Sequence, residues 1–301
     1  PRIVAIKSNV DIFPDELRYV VNGEYILENR SEEDIETIVL GFHPAATIAN
    51  VTLLGGSIQA QDDEFNYYTL LLDEPLSPGT QVVLQFEAGR SVQGFRHARN
   101  NGNALGLSSL SENGSFIFNN ESFPYLGFNR SLMLQDRNAR RSHELDPIAR
   151  SADLEDSSEY GNSYLRQDSD WVDFEATVST KSGQIALAPG YLIGDWEDEG
   201  RHYFHYKMDA PMQNLFAFLS ADYERAFEEW NGIDLEVYYH EAHAFNVKKM
   251  LDSLKRSLDY FSTHFSPYQY RQMRILEFPS FAGNFAVSFP NTVPWSEGLG
   301  F

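Results

Sequence analysis

The 301-residue chain contains no cysteine. Disulfides, thiolate nucleophiles and cysteine-ligated metals are therefore excluded, and the redox compartment is left open. Basic residues are scarce: 23 Lys and Arg stand against 44 Asp and Glu, a formal charge of −21. A chain of that sign repels phosphate backbones and anionic membrane surfaces, so nucleic acid is not an expected partner. No apolar run approaches the ~18 residues of a membrane-spanning helix. No signal peptide is visible, and neither an internal repeat nor a low-complexity segment occurs. The chain starts at Pro1 and stops at "SEGLGF", which leads to the expectation of a piece of a longer polypeptide.

What is present is apolar and aromatic. Hydrophobic residues make up 42% and aromatic residues 14%, enough for a real core in one large or two ordinary domains. Up to about residue 95 the chain reads as short strands. "RIVAIKSNVDIF", "YVVNGEYILEN", "TIVLGFH", "NVTLLGGSIQA", "YYTLLL" and "QVVLQFEAG" are bounded by Gly, Pro, Asn or Asp. "LDEPLSPGTQ" (72–81) reads as a turn, and "HARNNGNALG" (97–106) as turn-rich. The basic stretch "DRNARRSHELDPIAR" (136–150) reads as a solvated loop beside the acidic "ADLEDSSEY". Strands return at "WVDFEATVST", "GQIALAPGYLI", "RHYFHYKM" and "NLFAFLSADY". The pattern predicts an antiparallel β saddle or sandwich, residues 1–232.

From residue 233 the character changes. Asn231-Gly232 joins "YERAFEEW" to "IDLEVYY" as a hairpin signal. "NVKKMLDSLKRSLDYFSTHF" carries Val247, Met250, Leu251, Leu254, Leu258, Phe261 and Phe265 on one helical stripe, with Asn246 as N-cap and Pro267 as stop. "MRILEFP" follows as a buried strand. Strand, helix, strand begins an α/β unit, residues 233–301.

One short motif invites a metal reading. "YYHEAHAFN" (238–246) places His240 beside Glu241, but position 244 is Ala and the second histidine, His243, comes one residue early. Two imidazoles reach one metal from a helix at i and i+4, so the spacing is wrong. The expectation is a strand-to-helix loop with two polar histidines. His202 and His205, three apart on a strand, point to opposite faces and make poor co-ligands.

The order of the pieces resembles the aminopeptidase N and leukotriene hydrolase family of zinc metallopeptidases. "FPYLGF" (123–128), "FEATVSTKSGQIALAPG" and "APMQNLFAFLSADY" resemble its N-terminal β domain. "IDLEVYY", the amphipathic helix and "GNFAVSFPNTVPWSE" resemble the start of its thermolysin-like catalytic domain. "RILEFPSFAGNFAVSFPNTVPWSE" is similar to the subgroup joined to ABC-type transporter permeases. The likeness implies a Gly-x-Met-Glu-Asn edge strand whose backbone pairs with substrate and whose Glu holds a free amino group. Here that stretch is Gly283, Asn284, Phe285, Ala286 and Val287, so Ala286 stands where the Glu is expected. A β-domain Gln that shares the task in the family falls near Asn113, within "SENGSF", and is absent.

The resemblance places the family's zinc helix downstream of Phe301. The chain is expected to have no catalytic residue and no metal ligand of its own, with zinc supplied in a full-length parent. It would then be the cleft-shaping front of a peptidase acting on peptides, with the remainder of the polypeptide, and possibly a membrane permease part, as partners. The alternative is a binding domain of a transporter-associated membrane protein that keeps the fold without the chemistry. A third reading, a free-standing β sandwich that binds carbohydrate or protein, suits the aromatic content but not the helical tail.

Overall fold

The computed structural model describes residues 1–92, 108–129, 132–148, 152–160, 168 and 170–301. The 97–106 stretch read as turn-rich lies outside them. Seven strands come first: β1 (Arg2–Phe13), β2 (Arg18–Glu28), β3 (Ile35–Gly41), β4 (Thr47–Leu53), β5 (Gly56–Asp62), β6 (Tyr67–Leu76) and β7 (Gln81–Ser91). Then follow β8 (Ser115–Phe118), α1 (Asn119–Ser122), β9 (Tyr125–Leu126) and α2 (Arg137–Ser142). Strands β10 (Trp171–Lys181), β11 (Ile185–Leu187), β12 (Tyr191–Asp198), β13 (Arg201–Lys207), β14 (Met212–Gln213) and β15 (Ala217–Ala221) complete the β-rich part. The tail adds β16 (Glu224–Trp230), β17 (Ile233–Tyr239), α3 (Val247–His264), β18 (Gln272–Phe278) and β19 (Thr292–Ser296).

The molecule is mainly β, in several sheets. The largest runs β12-β13-β10-β1-β2-β7-β4, with β14 added beside β10. A second sheet is β5-β6-β3-β9 and a third β11-β15-β8. Period-two alternation explains the packing. In β2, Tyr19, Val21, Tyr25 and Leu27 point inward and are buried. Gly23 shares that face because a Cβ there would lie 2.1 Å from the Phe86 ring. Tyr25 packs on Phe86 and Phe123, and Phe123 in turn packs on Phe216 and Phe218, which together carry the centre of the core.

Several local expectations are corrected. The β part is not wholly antiparallel: β1 pairs with β10 in parallel, Val10 opposite Val178. "NVTLLGGSIQA" and "GQIALAPGYLI" each split into two strands at a glycine turn, with Gly55 and Gly190 at positive φ. Strand β6 runs on through Pro75 instead of turning at Leu72. The pairing with β3 slips there, between Ile35 and Thr37, and a proline is tolerated where the ladder is interrupted. The basic stretch is not all loop, since Arg137–Ser142 is helical and Asp136 accepts a bond from the Ala139 amide at its N-terminus. Arg140 is buried there because it satisfies the carbonyls of Leu134 and Asp146.

The tail forms a four-stranded sheet, β16-β17-β18-β19. Asn231 and Gly232, both at positive φ, turn the β16–β17 hairpin. Strand β16 thus belongs to this sheet, which begins ahead of residue 232. Strands β17, β18 and β19 run parallel, and α3 is the crossover between the first two. One face packs Leu235, Val237 and Ile275 on Val247, Met250, Leu251, Leu254 and Leu258 of α3. Phe261 and Phe265, predicted to continue that stripe, are exposed, because the helix has run past the buried part of the sheet. The other face joins the β core through Tyr238, Leu276 and Phe278. Among the described residues no helix is long and apolar enough to cross a membrane.

Candidate functional site

The chain leaves β18 at Phe278 and makes a short 3-10 turn, Ser280–Ala282. Gly283 follows at φ +133, where an added Cβ would lie 3.0 Å from the Phe285 ring. Glycine is needed for both reasons. Residues 284–289 then run back along the outer edge of β19. They return through Pro290 and Asn291, the latter at φ 49. Ala286 is bridged to Trp295 and Phe289 to Thr292.

The hydrogen bonds fix which way this edge segment faces. Ser296 donates to the Phe285 carbonyl at 3.0 Å, and Val287 donates to the Pro294 carbonyl at 3.2 Å. In an antiparallel pair the residue between those two directs its amide and carbonyl outward. Ala286 is that residue. Side chains alternate with the same period: Asn284, Ala286 and Ser288 are exposed, while Phe285, Val287 and Phe289 turn inward. The Phe285 ring lies 4.8 Å from Phe278 and 6.0 Å from Phe116 of β8. Phe289 stacks on Phe118 at 5.7 Å. The edge segment is therefore pinned to the β part by aromatic packing, and among the described residues no strand pairs with its outer edge.

The five residues singled out from the sequence are placed differently. Gly283, Asn284, Phe285 and Ala286 lie on one continuous strip. Asn284 backs onto Gly298, where any Cβ would fall 2.1 Å from the Asn284 Oδ1. Asn113 lies apart from that strip in sequence, and its Oδ1 accepts the Asp222 amide at 2.8 Å. Its neighbour Gly114, at φ +109, packs against Pro279, which precedes the 3-10 turn. At the far end of the strip a cleft of about 220 Å³ opens between the β part and the tail, lined by Trp171, Gln213, Tyr270, Ser288, Phe289 and Pro290. A larger cavity of about 570 Å³ lies by the Asn231–Gly232 turn and Thr263, with no candidate residue in it.

A second group was not assembled from the sequence. His240 and His243 sit on a 3-10 turn after β17, as the loop reading expected. His243 Nδ1 contacts Glu277 Oε1 and lies 3.9 Å from Glu297 Oε2. Glu277 is fully buried in β18, and Glu297 follows β19. Their spacing in sequence gave no sign of this, since each comes from a different strand end. The parallel order of β17, β18 and β19 is what brings them together. The family's zinc arrangement does not fit this turn: the two histidines are three apart on a 3-10 turn, and the His240 ring sits 5.9 Å from Tyr223 and 5.8 Å from His243.

The fold is that of the M1 zinc metallopeptidases over nearly the whole chain. An M1 zinc metallopeptidase from Deinococcus radiodurans superposes with a TM-score of 0.66 at 13% identity, covering 98% of this chain and 60% of that one. A mutant form bound to a Tyr-Ser-Ala substrate gives 0.65 and 13%, with coverage of 98% and 60%. A two-domain M1 zinc metallopeptidase mutant bound to L-arginine gives 0.63 and 12%, with coverage of 99% and 60%. At such identities the likeness is one of fold. The chain spans about 60% of the length of the structures it matches. No family model matches the sequence, and no curated protein matches it.

Proposed function

We propose that the chain is the substrate-shaping part of an M1-type metallopeptidase, and that residues 283–288 receive a peptide by strand addition. The single observation that carries this reading is the outward amide and carbonyl of Ala286 on an edge otherwise paired to β19. An open edge strand with fixed backbone donors is a template for an extended peptide. The fold supports the class, and a matched structure holds a peptide substrate.

In this reading Gly283 sets the entry of the strip, and Asn284 and Ala286 present backbone and small side chains to the peptide. Phe285 anchors the strip from behind, and the Asn113–Gly114 turn holds its base. Residues 1–232 and 233–301 act as the two walls. Ala286 offers no carboxylate to a free amino group, so the strip does not select the charged end of a peptide. No chemical step is assigned to the residues of the strip. The likeness to permease-joined relatives rests on residues 274–297 of the sequence alone.

The test is amide NMR of the chain titrated with Tyr-Ser-Ala. The reading expects the largest shifts at Asn284, Ala286 and Ser288. It fails if saturating peptide moves other surfaces and leaves this strip unchanged.

A further inference from the structure

We propose that His243, Glu277 and Glu297 form a divalent-cation site of the zinc class, at the carboxyl ends of three adjacent parallel strands. The ligand atoms are His243 Nδ1, Glu277 Oε1 and Glu297 Oε2. One nitrogen and two carboxylates from these residues lie within 4.8 Å of one another. The donor set is independent of the peptide reading above, and it uses no His-Glu-x-x-His helix.

Each carboxylate divides its two oxygens between protein donors and a common point. Glu277 Oε2 accepts the His240 amide at 2.6 Å, which leaves Oε1 toward His243. Glu297 Oε1 accepts the Ser280 amide at 2.8 Å and the Ser280 hydroxyl at 2.9 Å, which leaves Oε2 toward the same imidazole nitrogen. Each acid is thus oriented by protein donors and turns its remaining oxygen to a common point. That is the outer-shell pattern that holds metal ligands in place.

Charge points the same way. Glu277 is 0% exposed, and among the described residues no lysine or arginine lies within salt-bridge distance of Glu277 or Glu297. A buried carboxylate needs a compensating charge. One imidazole faces two carboxylates, and a divalent cation balances both while taking the imidazole in its neutral form. Zinc-class ions bind nitrogen and carboxylate oxygen at about 2.0–2.2 Å. Two ligands of one such ion lie about 3.3–3.6 Å apart, so the 3.9 Å between His243 and Glu297 nearly suits a shared ion, and the His243 imidazole has to draw back from its direct contact with Glu277 to admit it. His243 is 39% exposed at the side chain and has room for that movement, while Glu277 is held by burial and Glu297 by Ser280. The nitrogen donor disfavours calcium and magnesium, which prefer all-oxygen shells. Three protein ligands leave positions for water.

A cation here ties the turn after β17 to the ends of β18 and β19. Through Ser280 it also ties them to the base of the edge strip. The test titrates zinc into the chelator-treated chain, followed by calorimetry and by melting temperature. One zinc per chain is expected, with a higher Tm when it is bound. His243→Ala and Glu297→Gln each weaken binding about tenfold or more. Glu297 is partly exposed and its glutamine keeps an acceptor for Ser280, so the metal-free Tm of Glu297→Gln stays near that of the parent, whereas His243→Ala takes the partner from buried Glu277 and lowers it. His205→Ala, which removes an imidazole–carboxylate pair from the large sheet, leaves zinc affinity unchanged. Absence of zinc binding, or binding that survives both variants, overturns the proposal.

Discussion

Phe116→Ala separates packing from position at the seam between the two parts. The Phe116 ring is fully buried, 5.1 Å from Phe278 and 6.0 Å from Phe285. Removing a buried phenylalanine costs about 3–5 kcal/mol, of which each lost aromatic pair accounts for about 0.5–1.5. At about 2–4 °C per kcal/mol the melting temperature falls by roughly 6–20 °C. Phe42→Ala is the control, since Phe42 is equally buried but packs on Tyr68 and Phe86, away from the edge strip. Both variants should lose similar stability in urea. Hydrogen exchange under native conditions should then differ: Phe116→Ala accelerates the amides of residues 285–289 selectively, and Phe42→Ala does not. Equal exchange at the strip in the two variants would refute the claim that the β part holds the strip in place. So would a loss below about 1 kcal/mol for Phe116→Ala, because the ring would then not be the pin described.

Other consequences are simpler to check. Gly114→Ala should lower Tm more than Gly79→Ala, because both glycines sit at positive φ but only at Gly114 does the new Cβ meet an atom, Pro279 Cγ at 2.4 Å. Leu254→Ala should cost about 2–5 kcal/mol in urea unfolding, whereas Phe265→Ala, at an exposed position, should change stability by less than about 0.5. Burial, with Arg90 adding to it, holds the His43 pKa down at about 4 from its ordinary 6.5. The unfolded chain therefore takes up the proton first, and the stability contributed by neutral His43 is complete above 6.5 and lost as pH falls toward 4. Allowing for its partial exposure, that contribution is about 1–2 kcal/mol, and His43→Gln should flatten the stability difference between about pH 7 and pH 5 by that amount.

Local signals carried much of the fold. The Asn231-Gly232 turn, the helix over residues 247–264 and most strand positions follow from short-range chemistry that the sequence displays directly. What the sequence hid was non-local. The parallel pairing of β1 with β10 joins residues more than 160 apart, and nothing in either strand announces its partner. Phe261 and Phe265 fit the helical stripe, but burial depends on where the opposing sheet ends. The same limit applied to the sites. The strip at 283–288 was singled out through its likeness to a family edge strand, a comparison its contiguous residues allow. His243, Glu277 and Glu297 were not, since their proximity is set by the parallel order of three strands. Asn29 shows the point on a smaller scale. It begins an Asn-Arg-Ser triplet, the form of a glycan acceptor, yet it is fully buried and donates to the carbonyls of Glu33 and Leu76.

The aromatic seam has a practical corollary for dissection of the chain. Tyr238, Leu276, Phe278 and Phe289 belong to the same buried cluster as the strands of the large sheet. A cut in the short connection between β15 and β16 therefore does not release a soluble tail. Each half would expose the aromatic face that the other covers, and an exposed face of that kind drives association. A protease nick there should leave both fragments migrating together until denaturant is added, so the two parts behave in handling as one piece.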